Sequence, residues 1–397
     1  MMNRNVISRI IYYSRDLLGN HYITVFIFYV IFGSFIFRNL LFDVGIWNYG
    51  DNLFPMNKDM LSNYNNLISH TWWDHEFLGY ETVEEGIART SHVWLLNLGY
   101  LIFRDFSVAQ FFFWSIIFTL SGILMYSLAY YLFKKVTIAF PASLIYALNP
   151  WFVDRMSHVL ISQAYAFTPL IFLFYILCLD KGNFKYMFCF ASTAFFIIPS
   201  PHCMFMVAIL LLLYFFYRLA TDRDGWRTYF ISSLKATSIT IILLGFFSFP
   251  FFLLFIEDGG LWARAARYAV AIQGWPGWGR NCTVLNVIRL LGFHNSMFNF
   301  LTPGWVFLSF IIPVLWSVPL LIKSHKRFRN EMYFFYTLII IGICLSSVDL
   351  LGGSLQRYIR FIPTSVDPHN YIFILAFAEA PLFGIGAYIF LKKLEIF

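Results

Sequence analysis

Residues 109–133 have the sequence AQFFFWSIIFTLSGILMYSLAYYLF and contain no charged side chain. A helix rises 1.5 Å per residue, so an apolar run of roughly 20 residues crosses the ~30 Å hydrocarbon core of a bilayer. Lipid offers the backbone no hydrogen-bond partner, and a helix satisfies its own N–H and C=O groups within one run. The stretch therefore predicts a membrane-spanning helix.

Apolar runs of similar length recur along the chain of 397 residues, which is 59% apolar and only 12% charged. Soluble domains carry about 25% charged residues and could not cover so much apolar surface. The short alternating segments of a porin-like barrel are absent. The sequence predicts an all-α integral membrane protein, one polytopic domain over residues 1–397 with about ten spans. The predicted spans are residues 22–42, 109–133, 136–153, 160–179, 185–199, 202–219, 236–255, 304–322, 332–348 and 371–391.

The charged residues predict the orientation of these spans. Most basic residues lie in short connections, such as Lys134-Lys135 and residues 323–329, whereas most acidic residues lie in three long loops. Basic connections stay in the cytoplasm, so we expect a multi-pass plasma-membrane protein with both termini cytoplasmic. We also expect no soluble domain after the last span. The net charge of +7 does not indicate nucleic-acid binding, because the basic residues flank spans. Of the five predicted outer loops, the three long ones are the first, at residues 43–106, the fourth, at 256–303, and the fifth, at 349–370.

No cofactor is strongly indicated. The five cysteines show no metal-binding or redox spacing and are interpreted as small hydrophobic residues: Cys178, Cys189, Cys203, Cys282 and Cys344. The Asp74-His75-Glu76 cluster has ligand types for a divalent cation. Three adjacent side chains point in different directions, however, so a solvated surface is the competing interpretation.

The first outer loop carries the candidate catalytic base. Gly50-Asp51-Asn52 follows the first span by a few residues, and a carboxylate at the membrane surface can deprotonate an acceptor hydroxyl. Asp51 can equally form an Asx turn that satisfies its own backbone. Asp43, at the end of the span, is the fallback base, and its competing role is solvation of the interface. The apolar run 92–103 is too short to span and predicts a surface helix.

Two proline breaks are predicted at the outer ends of spans. The Asn149-Pro150 step is followed by Asp154, Arg155 and then His158. This charge pair fits either a contact with a substrate phosphate or an anchor at the interface, and the sequence does not separate them. The second break, IPSPH at 198–202, places His202 at the outer surface, where a structural role is the simpler interpretation.

The later outer loops carry candidate phosphate ligands. Arginine forms charge-assisted, often bidentate bonds to phosphate. The fourth outer loop contains Arg264, Arg267, Arg280 and Arg289, and the fifth contains Arg360, Asp367 and His369. Glu379 lies inside the last predicted span, where a charge costs roughly 2.5–3.5 kcal/mol on insertion scales. It is therefore expected to be protonated, paired or facing a wet cavity.

The order of these features resembles the GT-C superfamily of membrane glycosyltransferases, most closely its arabinofuranosyltransferase-like and uncharacterised prokaryotic branches. A first span precedes a long outer loop that opens with Gly50-Asp51 and Pro55 and ends in a short surface helix. The Tyr146-Ala-Leu-Asn149-Pro150 break follows, and a late loop carries Arg360 and Asp367-Pro368. The resemblance covers most of the chain but rests on order rather than on a specific motif.

The resemblance implies an inverting transferase at the outer membrane surface. Such enzymes take a sugar from a polyprenyl-phosphate-linked donor, and their base is an acidic residue of the first outer loop, which here is Asp51. Arginine and histidine side chains would stabilise the leaving lipid phosphate. The residues assigned to this contact are Arg155, Arg280, Arg360 and His369, with Asp154, His158, His202, Asp367 and Glu379 in support. The acceptor would be a glycan or glycoprotein.

Two other functional classes remain open at the level of sequence. A transporter or lipid flippase would use Glu379 and the broken helices to line a path. A non-catalytic membrane subunit would use its aromatic surface to pack against partners. The near absence of other ionisable residues within the spans argues against transport.

Overall fold

The computed structural model describes most of the helical part of the chain. The described residues are 20–42, 58–59, 61–62, 72–73, 80–81, 94–156, 158–197, 201–222, 225–257, 282–291, 303–321, 328–347, 350 and 368–394. Everything that follows about contacts and burial concerns these residues.

The described residues are almost entirely helical. One antiparallel pair of two-residue strands, β1 (Trp72–Trp73) and β2 (Tyr80–Glu81), lies in the first predicted outer loop. A short 3-10 helix, Pro368–Tyr371, precedes the last helix. The α-helices are α1 (His21–Ile36), α2 (Asn39–Phe42), α3 (Trp94–Phe103), α4 (Phe106–Phe133), α5 (Val136–Leu148), α6 (Pro150–Arg155), α7 (Val159–Lys181), α8 (Phe184–Ala194), α9 (Pro201–Thr221), α10 (Trp226–Glu257), α11 (Val284–Ile288), α12 (Pro303–Leu321), α13 (Arg329–Ser346) and α14 (Ile372–Leu394).

Six of the described helical segments are long and apolar enough to cross a membrane. The prediction of a multi-pass all-α membrane protein is thereby confirmed at this level. The short apolar segments His21–Ile36, Trp94–Phe103 and Phe307–Leu321 fall below that length. The six segments are Phe106–Phe133, Val136–Arg155, Val159–Lys181, Cys203–Thr221, Trp226–Gly245 and Ile372–Leu394.

Helix α14 is the centre of the bundle. It packs against α5, α12 and α13, and most of its length is buried. Two glycines of α14 allow close approach to a neighbouring backbone: a Cβ on Gly386 would lie 1.9 Å from the Leu315 carbonyl oxygen, and one on Gly384 would lie 2.3 Å from that of Ile138. Small residues let helix backbones meet in this way where the hydrophobic effect between helices is weak.

Ring and side-chain contacts identify which helix ends lie together. Lys135 Nζ, at the start of α5, donates a hydrogen bond of 2.6 Å to the hydroxyl of Tyr388 near the end of α14. At the opposite end, the rings of Trp151 and Phe373 are 5.7 Å apart. We call the end at Lys135 the inner end and the end at Trp151 the outer end, following the predicted orientation.

Three helices differ from the predicted spans. Helix α1 ends at Ile36, six residues before the end of the predicted span at 22–42, and a turn separates it from α2. Helix α10 begins at Trp226, ten residues before the predicted span at 236–255, and so includes Lys235 within its first turns. Helix α8 has only 11 residues. Past its end, the Phe196 ring stacks on Phe167 of α7 at 4.2 Å, and Phe195 lies 5.9 Å from Trp94 of α3.

Candidate functional site at the outer helix break

The break between α5 and α6 is built by Asn149 and Pro150. Asn149 has an extended backbone (φ −70°, ψ 153°), and its Oδ1 accepts a hydrogen bond of 2.9 Å from the backbone N–H of Phe152. Proline lacks an N–H and fits the first position of a helix, where that donor would have no intrahelical partner. The two residues therefore end α5 and start α6 in one step, as the sequence predicts.

A buried polar network fixes this break. The Asn149 amide donates to the Tyr146 carbonyl and to the Tyr165 hydroxyl, each at 2.8 Å. The Tyr146 hydroxyl in turn donates to the Tyr165 carbonyl at 2.7 Å, and the two rings stack with centroids 4.0 Å apart. The side chains are almost fully buried, so each hydrogen bond replaces one that water would otherwise make. The network therefore connects the end of α5 and the start of α6 to α7 through Tyr165.

Helix α6 presents its charge pair at the outer end. Arg155 is 2% exposed, although it stands at the last position of a six-residue helix, and its guanidinium carbon lies 6.0 Å from the centroid of the Trp151 ring. Ser162 Oγ donates to the Arg155 carbonyl oxygen at 2.8 Å. Asp154 and His158 are partly exposed beside it. The break thus holds a guanidinium within the protein near the end of the spans.

Glu379 lies deeper in the bundle and is 1% exposed. The indole of Trp316 in α12 is a neighbouring donor group. In the described part of the chain, neither the carboxyl oxygens of Glu379 nor Nε1 of Trp316 completes a hydrogen bond. The Tyr165 side chain of the outer network lies within electrostatic reach of Glu379. That Glu379 is protonated, paired or facing a wet cavity stays a prediction from the sequence.

The remaining predicted site residues fall outside what the structure describes. His202 and His369 lie in described helices, at the start of α9 and in the short 3-10 helix, but their side chains are outside the description. Among the described residues, no group of three or more histidine, cysteine or acidic side chains could hold a metal ion. The residues outside the description are Asp43, Asp51, Asp74, His75, Glu76, Arg280, Arg360 and Asp367.

Arg289 is a buried cation that the sequence did not separate from its neighbours in the fourth outer loop. It caps the C-terminus of α11, is 8% exposed, and stacks on Phe310 of α12 with its guanidinium carbon 3.8 Å from the ring centroid. Its Nε and Nη2 donate to Ser309 Oγ at 3.2 and 3.0 Å. Burial lowers the pKa of Arg289 from its ordinary value. These contacts join the outer loop to α12.

Comparison with known proteins adds no assignment. No protein-family model matches the chain, and no curated protein is significantly similar to it.

Proposed function

We propose that the protein is an inverting glycosyltransferase that moves a sugar from a polyprenyl-phosphate-linked donor to an acceptor hydroxyl or amide at the outer membrane surface. The observation that carries the proposal is the buried Arg155 guanidinium at the outer helix break, on the short helix α6 that Asn149 caps. A cation fixed at the membrane surface suits the headgroup of a lipid phosphate, whose charge grows as the sugar leaves.

We place this activity in a ten-span plasma-membrane protein with both termini in the cytoplasm. Helix α8 supports the count despite its length. It starts beside the end of α7 at Asn183, and the residues after it contact the outer part of α7 and the surface helix α3. A chain that begins at the inner end and finishes against α3 traverses the bundle, as a predicted span at 185–199 requires.

The proposed reaction has one displacement step. The Asp51 carboxylate takes the proton of the acceptor hydroxyl, and the acceptor oxygen attacks the anomeric carbon as the bond from that carbon to the phosphate oxygen breaks. The products are the glycosylated acceptor, with inverted anomeric configuration, and the polyprenyl phosphate. Arg155 stabilises the charge on the leaving phosphate. The proposal gives the same role to Arg280, Arg360 and His369.

The test is transfer from a radiolabelled polyprenyl-phosphate sugar by the full chain in proteoliposomes. We expect Asp51→Ala to lower the transfer rate by about 10²-fold or more, the contribution of a positioned general base, with a thermal midpoint close to wild type. Asp59→Ala is the matched control, a carboxylate of the same predicted loop to which no catalytic role is assigned, and it should keep most activity. Unchanged transfer in Asp51→Ala would overturn the assignment of the base.

Glu379 favours a second candidate function, transport. A carboxyl buried in a membrane helix without a completed hydrogen bond is typical of proton- or ion-coupled paths. Proteoliposomes separate the two functions: a transporter would move a proton or ion across the bilayer in the absence of a sugar donor, and this flux would be lost in Glu379→Gln. A transferase would show no such flux, and its transfer rate would depend on Asp51.

A further inference from the structure

A cavity of ≈ 460 Å³ lies at the inner end of the bundle, far along the spans from the outer helix break. We call it the inner cavity. It is bounded by the ends of α4, α7 and α9 and by the start of α13. Its volume falls in the range of small-molecule sites, about 300–1,000 Å³. The sequence assigned the basic residues of this end only to membrane orientation.

The Arg218 guanidinium at the rim of the inner cavity binds three neighbouring side chains. Its Nη1 forms an ion pair of 2.6 Å with Asp180 and a longer hydrogen bond of 3.3 Å to the Tyr214 hydroxyl. Its Nη2 donates to the Tyr229 hydroxyl at 2.8 Å, and that hydroxyl donates to Asp222. One cation thus binds one carboxylate directly and a second through a tyrosine. An incoming anion would have to displace these bonds.

Aromatic rings form one wall of the inner cavity. The Phe334 ring of α13 lies 5.8 Å from Phe172, 5.2 Å from Tyr214 and 5.2 Å from Tyr217. Phe172 and Tyr214 are themselves in edge contact at 5.1 Å. Such rings carry negative charge on their faces and attract a cation placed within about 6 Å of a ring centroid.

Glu331 adds a carboxylate beside this wall. It is partly buried in the first turn of α13, lines the inner cavity, and lies within electrostatic reach of Tyr217. Within the described part of the chain, Glu331 forms no hydrogen bond or ion pair, unlike Asp180 and Asp222. The other lining cation, Lys134, is exposed and rests over the Tyr131 ring at 4.4 Å. Among the described residues, the lining therefore holds three carboxylates, Asp180, Asp222 and Glu331, against two cations, Lys134 and Arg218.

We propose that the inner cavity binds an organic ammonium group, with Glu331 as its counter-ion and the ring of Tyr217 as its cation–π surface. The excess of carboxylates selects for positive charge, and the aromatic wall selects for a cation that carries apolar carbon rather than for a hydrated metal ion. The proposal is independent of the outer-end glycosyltransferase and needs no residue of that site.

A simpler role for Glu331 is to offset the dipole of α13. Acidic residues in the first turn of a helix stabilise it, typically by 0.3–1 kcal/mol. That role predicts an effect of Glu331→Gln on thermal stability and none on ligand affinity. The aromatic wall gives an independent readout, because Tyr217 has no part in the dipole of α13.

The ammonium group has two sources, a soluble amine or the headgroup of an ethanolamine or choline phospholipid. The inner cavity lies at the ends of the spans α4, α7 and α9, the level at which headgroups are found. Nanodiscs of defined composition separate the two sources.

The experiment measures binding of tetramethylammonium and ethanolamine by calorimetry to the full chain in nanodiscs of phosphatidylglycerol alone. In parallel, the thermal midpoint is measured with and without phosphatidylethanolamine. Binding of either free amine identifies a soluble ligand. A midpoint raised by phosphatidylethanolamine in wild type, but not in Glu331→Gln, identifies a headgroup. Each of these results supports the ammonium site.

The variants test the two recognition elements separately. We expect Glu331→Gln and Tyr217→Leu each to weaken the affinity or the lipid effect about tenfold, and Tyr217→Phe to leave it near wild type because the ring face remains. Glu81→Gln, the same substitution in β2 of the outer loop, should have no effect. The proposal is overturned if neither amine nor phosphatidylethanolamine acts on wild type. It is equally overturned if both variants respond as wild type, or if inorganic phosphate binds in place of the amines.

Discussion

The outer and inner ends of the bundle hold their charged side chains in opposite ways. At the outer end, Asp154 and Arg155 are neighbours in sequence on one short helix, and a single asparagine fixes that helix. At the inner end, Asp180, Arg218 and Glu331 come from three different helices. The first arrangement is specified locally by an Asn-Pro step, and the second exists only once the helices have packed.

This difference determines how each end responds to mutation. A local break is lost when its capping residue is lost, while the helices around it keep their packing. A cavity between helix ends depends on every helix that forms it. Both ends share α14 as a common support, so a change in its packing should affect both.

The largest expected effect is that of Gly386→Ala, which should disturb the helix packing at both the outer and the inner end. The added Cβ would lie 1.9 Å from the Leu315 backbone oxygen, so α12 and α14 must separate. We expect a loss of about 2–3 kcal/mol in the free energy of unfolding, as for other overpacked cores. Gly245→Ala is the matched control, since a Cβ there meets nothing within 4 Å. Thermal midpoints in nanodiscs measure both, and equal midpoints would contradict the packing.

Asn149→Ala should damage the outer end alone. It removes the cap of α6 and two buried donor bonds, for a loss of about 2 kcal/mol. We expect sugar transfer to fall and ammonium binding at the inner cavity to persist. Asn183→Ala, which removes the cap of α8 with its one bond to Lys185 N–H, should cost less, about 1 kcal/mol. Loss of ammonium binding in Asn149→Ala would show that the two ends are coupled.

Arg218→Met should give the smallest change in stability and act on the inner end alone. Asp180, Tyr214 and Tyr229 lose their shared donor in a partly solvated site, so we expect about 1 kcal/mol. The affinity of the inner cavity for ammonium should rise, because the cavity loses a positive charge. The rate of sugar transfer should stay at the wild-type value. Arg227→Met, which removes a cation resting only over Trp226 among the described contacts, is the control. A drop in transfer in Arg218→Met would refute the independence of the ends.

The sequence predicted what local chemistry dictates. Uninterrupted apolar runs predicted α4, α7 and α14 nearly to the residue, because lipid permits only helices. Asn149 and Pro150 predicted the break, because a capping side chain and a missing N–H act within one turn. Arg155 was a candidate for the same reason, although its near-complete burial depends on contacts from other helices.

The inner cavity could not be predicted in this way. Its described basic residues, Lys134 and Arg218, satisfy the positive-inside rule and need no further explanation from sequence. The Asp180 partner of Arg218 lies 38 residues away in the sequence, and Glu331 looks like an ordinary first-turn acid. The early start of α10 at Trp226 was also missed, because Arg227 and Lys235 look like residues of a loop in the sequence, whereas both lie within the helix.

The most direct test of the account is to map where a photoreactive polyprenyl phosphate crosslinks to the full chain in nanodiscs. The outer-end assignment predicts adducts on the segment from Trp151 to Met156 and on Tyr371 and Phe373, reduced by competition with unlabelled polyprenyl phosphate. The competitor should leave ammonium binding unchanged. Competable adducts confined to Tyr214, Tyr217 and their neighbours at the inner cavity would contradict it.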